Sequence, residues 1–329
     1  MRSTSRGVIW REDTTHRQNF DPLEVQRCTL LSIKTGGCNE DCKYCAQSTR
    51  YKTPVKPTPM MSVDAVVEAA TRAKEAGSTR FCMGTAWREL GNKKGSFGKI
   101  LSMVEQVNGM GLEVCCTLGM VNERQAKELK AAGLTAYNHN LDTSREHYPS
   151  VISTRTYDDR LQTIKNVRAA GISVCCGGIL GIGESEDDRI GLLHELATME
   201  KHPESVPVNA LVPIEGTPMM EAGEVPDVFQ MARTIATARV IMPRSMVRVT
   251  RHGLVLGRRP SPNHVPFLTD RLPPIHLTHH PVNLYPHHPG APLGRSHVLL
   301  PDRADRHVHG GRQLHLHRRQ AAHHPQPRL

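Results

Sequence analysis

Short apolar runs and amphipathic stretches alternate along most of the chain. Residues 29–37 (Thr29-Leu30-Leu31-Ser32-Ile33-Lys34-Thr35-Gly36-Gly37) form a strand-like run that ends in two glycines. Residues 61–77 follow, with apolar Val63, Val66, Val67, Ala70 and Ala73 at helical spacing. Further strands are predicted at 79–84, 112–119, 136–142, 173–181, 206–212 and 245–248, with helices near 97–110, 122–132, 157–170, 186–199 and 227–242. Seven strands alternating with six helices through connections of a few residues predict an α/β chain with a parallel sheet, here a (β/α)8 barrel of TIM type. Closure needs an eighth strand, and the pattern stops short of it after Arg248.

The 329 residues suffice for one large domain or two ordinary ones. There is no run of about 18 apolar residues, so no membrane span is expected. The net charge of +10 is unevenly spread. Residues 249–329 hold eleven Arg, no Lys and three Asp, hence +8, which leaves only +2 for the first 248. That stretch also holds fourteen of the nineteen His and twelve of the twenty-three Pro. The shift divides the chain into an N-terminal extension at 1–17, a barrel at 18–248 and a low-complexity Arg/His/Pro tail at 249–329, predicted to be disordered. Nucleic-acid binding is not implied by the barrel itself. The N-terminus carries Arg2, Arg6, Arg11 and Arg17, but Glu12 and Asp13 depart from a transit-peptide composition.

Nine cysteines are an odd number, and three fall in one loop, Cys38, Cys42 and Cys45, at C-x3-C-x2-C spacing. This favours metal binding in a reducing compartment over a disulfide framework. The glycine pair before the loop lets the backbone curl so that three thiolates converge. Structural zinc takes four protein ligands, whereas a cubane iron–sulfur cluster takes one thiolate per iron. Three local thiolates leave one iron open to a small molecule. A zinc knuckle lacking a ligand, or three thiols of no consequence, is the competing reading.

A second constellation lies on the predicted strands. Cys82, Cys115 and Cys175 occupy similar positions, and one member of each pair Cys115/Cys116 and Cys175/Cys176 points inward by strand alternation. Asn138, Asn140, Asp142, Asn209 and Arg248 are polar where a packed barrel would carry branched aliphatics. Buried polar groups need partners. Cys28, just before the first strand, reads as a small buried hydrophobe.

These motifs resemble radical S-adenosylmethionine (SAM) enzymes, and Cys42-Lys43-Tyr44-Cys45-Ala46-Gln47-Ser48 with Arg50-Tyr51 resembles the biotin synthase family in particular. The resemblance runs from about His16 to Arg248. It implies a [4Fe–4S] cluster on Cys38, Cys42 and Cys45 with SAM on the open iron. It also implies a [2Fe–2S] cluster on Cys82, Cys115, Cys175 and Arg248, with Cys116 and Cys176 facing the helices. The stretch 137–144 resembles one whose Asn and Asp contact substrate and the SAM ribose, pointing to Asn140 and Asp142. Arg160 matches an arginine near the SAM carboxylate, residues 177–184 an adenine-side strand, and Asn209 a substrate contact. The implied reaction is sulfur insertion into dethiobiotin. Reductive cleavage of SAM gives a 5′-deoxyadenosyl radical that takes hydrogen from an unactivated carbon, and the inner cluster supplies the sulfur. The resemblance further implies a ferredoxin- or flavodoxin-type electron donor and a homodimer. The compartment is mitochondrial for a eukaryotic chain and cytoplasmic otherwise.

After Arg248 the resemblance stops. Back-translation of residues 312–328, read one nucleotide later, allows the family's Ala-Asn-Ser-Ile-Phe segment, and residues 292–297 allow Leu-Ser-Ala-Gly-Arg. This predicts that Val249 to about Ala291 is inserted sequence, such as a retained intron, with the remainder out of frame. A catalytically defective product of such a gene, a different radical SAM sulfur inserter of lipoyl-synthase type, and a basic tail that binds nucleic acid are the alternatives. The inward Cys82, Cys115, Cys175 and Arg248 argue against the lipoyl-synthase type.

Overall fold

In the computed structural model, which describes residues 5–92 and 94–251, the alternation becomes a wound sheet. In chain order the elements are α1 (Ser5–Asn19), β1 (Cys28–Lys34), α2 (Val63–Glu75), β2 (Arg80–Thr85), α3 (Lys94–Gly109), β3 (Glu113–Thr117), α4 (Glu123–Ala131), β4 (Ala136–Asn138), α5 (Tyr148–Val151) and α6 (Tyr157–Ala169). They continue with β5 (Ser173–Cys175), β6 (Gly178–Leu180), α7 (Glu186–Ala197), β7 (Ser205–Ala210), α8 (Met219–Ala222), α9 (Val228–Ile241) and β8 (Met246–Arg251). The helix starts follow local chemistry. Ser62, Asn122, Thr156, Ser185 and Asp227 each accept a backbone N–H of the first turn through the side chain. Such a cap contributes about 1 kcal/mol.

All pairings are parallel and run β1-β2-β3-β4-β5-β7, with β6 and β8 also on β7. β8 pairs along the whole of β7, so β5 and β6 share its other edge as two pieces of one strand. The break corrects the continuous strand expected at 173–181, and its cause is steric. A Cβ on Gly177 would lie 2.0 Å from the Pro207 carbonyl oxygen, so strand and neighbour approach too closely for regular pairing. The strand expected at 136–142 ends at Asn138, and Asp142, at a positive φ of 69°, makes one further parallel bridge to Gly178.

Side chains alternate between the two faces. Phe81, Met83, Val114, Cys116, Val174, Cys176 and Val206 point to the helices and join the main core. Removing a fully buried aromatic such as Phe81 costs about 3–5 kcal/mol. Cys82, Cys115 and Cys175 take the opposite, inward face. Among the described residues β1 pairs only with β2 and β8 only with β7. A side-chain hydrogen bond from Arg248 Nη2 to Gln26 Oε1 spans that opening.

Two boundaries differ from expectation. The segment set apart as an extension at 1–17 is helical from Ser5, the first described residue, through Asn19. It packs on α9, with the Arg239 guanidinium 4.5 Å above the Phe20 ring that follows. At the other end β8 continues past Arg248, pairing Val249, Thr250 and Arg251 with Val208, Asn209 and Ala210. Residues 252–329 lie outside the described residues, as do the expectations of disorder and altered frame placed on them.

Candidate functional site

The cysteine loop leaves the C-terminal end of β1 through Gly36 and Gly37, at φ of 67° and 70°. A Cβ on Gly36 would meet Pro57 Cα at 2.9 Å, so the curl expected from the sequence needs glycine there. The loop closes on itself through Cys38 N–H to Gln47 O (3.0 Å), Thr49 N–H to Cys38 O (2.8 Å) and Cys45 N–H to Cys42 O (2.9 Å). It is clamped to the α5–α6 connection. Lys43 N–H donates to Val151 O at 3.1 Å, and Asp41 accepts from the backbone of Ser153 at 2.9 Å and Thr154 at 3.2 Å. Burial works against the Asp41 charge, but these bonds outweigh it and bring its pKa down to about 2.

Cys38 and Cys42 are buried and Cys45 half-buried. Burial pushes the Cys42 thiol up to about 12 and Cys45 to about 11, and raises Cys38 as well. Neutral thiols in such a setting become thiolates when a cationic centre arrives. Arg155 is a cation held beside the loop, with Nη2 3.9 Å from Cys42 Sγ and Nε 3.2 Å from the Tyr148 hydroxyl. Among the described residues no three Cys, His, Asp or Glu side chains close on one point, as a lone structural zinc would need. A cluster spaces its thiolates apart, one per iron, and the donor set of the loop fits it.

The inner constellation lies in the N-terminal half of the lumen. Register aligns Cys82 with Cys115, and Asn138 with Cys175. Cys82 is within hydrogen-bonding reach of Cys115, and Asn138 Nδ2 donates to Cys175 Sγ at 3.2 Å. Arg248 reaches the same space from β8. Its side chain is 7% exposed, and its Nε has no hydrogen-bond partner among the described residues. A buried, unpartnered N–H beside inward thiols fits a site built for a further group. Cys116 and Cys176 lie in the helix-side core, as expected.

The remaining expected residues separate into two kinds. Asp142 and Arg160 are joined to each other: Arg160 Nη2 lies 2.5 Å from Asp142 Oδ2, which also accepts the Tyr44 hydroxyl at 2.7 Å. Arg160 Nε donates to the Tyr148 hydroxyl at 2.9 Å, and its Nη1 to the Asn140 carbonyl. Asn140 Oδ1 accepts Gly177 N–H at 3.2 Å. Asn209 is on the inward face of β7, opposite Val208 and Ala210, which pack with Leu180 and Met231. In the 177–184 stretch, Glu184 accepts Gly181 and Ile182 N–H and pairs with Arg189 at 2.8 Å.

Sequence reasoning missed three contributors. Arg155 packs against the loop, and the buried Glu40 inside it lies 3.9 Å from Arg155 Nε and 3.5 Å from Arg88 Nε. Nothing in their local sequence marks them, because the contacts come from distant segments. Cys28, read as a buried hydrophobe, instead places its sulfur 3.2 Å from that of Cys82. Strand parity could have found it, since Cys28 and Leu30 share a face and Leu30 aligns with Cys82.

The family model of the radical SAM superfamily matches residues 32–196, and that of the Biotin and Thiamin Synthesis associated domain matches 207–252. Over 235 residues the chain is 62% identical to the mitochondrial biotin synthase of Arabidopsis thaliana, covering 71% of this chain and 62% of the relative. Over 243 residues it is 62% identical to the biotin synthase of Cytophaga hutchinsonii, covering 74% and 72%. The mitochondrial biotin synthase of Saccharomyces cerevisiae is 58% identical, covering 71% and 64%. The chain thus spans about two thirds of the length of these relatives, and less than that of the plant and yeast ones. Among solved structures, methylornithine synthase superposes with a TM-score of 0.64 at 18% identity, covering 75% of this chain and 72% of that one. The FeFe-hydrogenase maturase HydG of Carboxydothermus hydrogenoformans superposes with 0.63 at 14%, covering 78% and 59%. At such identities the structures establish the fold alone. With a superfamily match over half its length and relatives at these identities, the chain belongs to the biotin synthase family of the radical SAM superfamily.

Proposed function

We propose that this chain is a biotin synthase, converting dethiobiotin to biotin by SAM-dependent sulfur insertion. The observation that carries the reading is the presence of two separate sets of thiols on one barrel. One set sits on the loop beyond the C-terminal end of β1, the other on the inward face near the N-terminal ends of the strands. Cys38, Cys42 and Cys45 are the ligands for a [4Fe–4S] cluster. Cys82, Cys115, Cys175 and Arg248 are the ligands for a [2Fe–2S] cluster. When bound, these groups and SAM supply one-electron radical chemistry and a source of sulfur.

The polypeptide supplies position and dryness. Tyr44 and Arg160 hold Asp142 at the loop, so its carboxylate presents a fixed acceptor for hydroxyl groups of SAM. Arg160 and Arg155 supply positive charge on the side where the SAM carboxylate binds. Asn140 and Asn209 are the dethiobiotin contacts between the two sets. The inner set favours this reading over another radical sulfur inserter, since it gives the chain a second place to hold sulfur. The barrel is the catalytic domain. A ferredoxin or flavodoxin supplies electrons, the enzyme is a homodimer, and the compartment is mitochondrial for a eukaryotic source, as in the plant and yeast relatives.

The test is turnover. The chain is reconstituted anaerobically with iron and sulfide and given SAM, a reductant and dethiobiotin, and biotin is assayed. Biotin formation is expected, at a rate that rises when residues 249–329 are replaced by the frame-restored sequence. Absence of biotin from both versions, with both clusters loaded, would overturn the reading.

A further inference from the structure

One lumen thiol belongs neither to the ligand set above nor to the packed core. Cys28 opens β1, and its sulfur lies 3.2 Å from the Cys82 sulfur. Two sulfurs on one tetrahedral metal ion, with bonds of about 2.3 Å, sit roughly 3.8 Å apart. The two thiols are therefore already within that separation, and a small side-chain rotation brings both to one metal. Cys28 is also close enough to Cys115, Arg80 and Arg248 to feel their charges.

Arg248 stands in the opposite situation. It already donates through Nη2 to Gln26, and that nitrogen lies 2.9 Å from Met246 Sδ. Thiolates are the ordinary donors to iron–sulfur clusters. The unpartnered Nε of Arg248 suits hydrogen bonding to a sulfur of a bound group.

We propose that Cys28 is a fourth sulfur donor of the inner centre, so that this chain can hold a [2Fe–2S] cluster on Cys28, Cys82, Cys115 and Cys175 without Arg248. This rests on the reading of the inner face as a cluster site. On binding, the Cys28 thiol releases its proton to solvent and no electron is exchanged.

The experiment uses the full chain, reconstituted anaerobically with ferrous iron and sulfide, in four forms: unsubstituted, Cys28→Ser, Arg248→Ala and the double variant. Iron, acid-labile sulfide and Mössbauer spectra are measured, and the outer cluster reports folding in every form. Arg248→Met, which keeps more side-chain volume, is run in parallel with Arg248→Ala. The expected result is that either Arg248 variant alone retains the inner cluster's two irons, and that adding Cys28→Ser removes them. The proposal is overturned if an Arg248 variant loses the inner cluster as fully as the double variant, or if the double variant retains it. An unsubstituted chain that binds only the outer cluster would refute the underlying site reading, and the proposal with it.

Discussion

The Tyr44 hydroxyl, inside the cysteine loop, donates at 2.7 Å to Asp142 Oδ2, a carboxylate 98 residues away that is also held by Arg160. The bond ties the loop carrying Cys42 and Cys45 to the segment that continues β4. The loop is also held by its own backbone bonds, by the 151–154 clamp and by Met219 N–H donating to Lys43 O at 3.2 Å. The site is therefore positioned by a buried network, and the network can be taken apart one atom at a time.

Tyr44→Phe removes one hydrogen bond to a charged acceptor and leaves the Arg160–Asp142 pair in place. The expected cost is about 1.5–3 kcal/mol. Asp142→Ala is expected to cost more, about 3–5 kcal/mol, because it strands the buried Arg160 charge. Urea midpoints of the two variants check the order. Equal midpoints would mean that the network does not couple loop and sheet.

Asp41 controls acid stability. Its folded pKa is lowered from 3.8 to about 2, so the stabilisation it contributes is complete above about pH 4 and is lost as pH falls through 2. Asp188, lowered to about 2 and accepting the Ser144 hydroxyl at 2.6 Å, titrates in the same window. Unfolding midpoints between pH 5 and pH 2, conditions set by those values, are expected to fall less steeply for Asp41→Asn than for the unsubstituted chain. A residual slope is expected from Asp188. An unchanged slope would show that the clamp does not hold the carboxylate in its charged form.

Strand parity separates neighbours that look alike in sequence. Cys115→Ala is expected to lower inner iron content, while Cys116→Ala, which changes the helix-side core, is expected to leave iron unchanged and to cost about 1 kcal/mol of stability. Iron and sulfide analysis with thermal unfolding distinguishes them. Iron loss from Cys116→Ala alone would reverse the assigned faces.

Gly177 is a packing requirement. A Cβ there would sit 2.0 Å from Pro207 O and 2.9 Å from Pro207 Cδ, so Gly177→Ala must push β7 away from the β5–β6 edge. Overpacking of this kind costs about 1–3 kcal/mol or more. The expected outcome is a lower melting temperature and lower soluble yield. A variant as stable as the parent would mean that the strands can separate freely at this point.

The sequence alone determined the order of strands and helices, the glycine-led cysteine loop, and that one cysteine of each adjacent pair faces inward. These are local properties: apolar period, turn chemistry and parity depend on residues a few positions apart. It also marked Asn140, Asp142, Arg160, Asn209 and Arg248 through resemblance. Tertiary structure decided which of these touch. It joined Arg160 to Asp142 and Tyr44, and set Arg155 beside Cys42. It also broke the fifth strand at Gly177 and brought Cys28 against Cys82. Each of those contacts depends on strand register and on the close approach of segments distant in the chain, which no local pattern encodes.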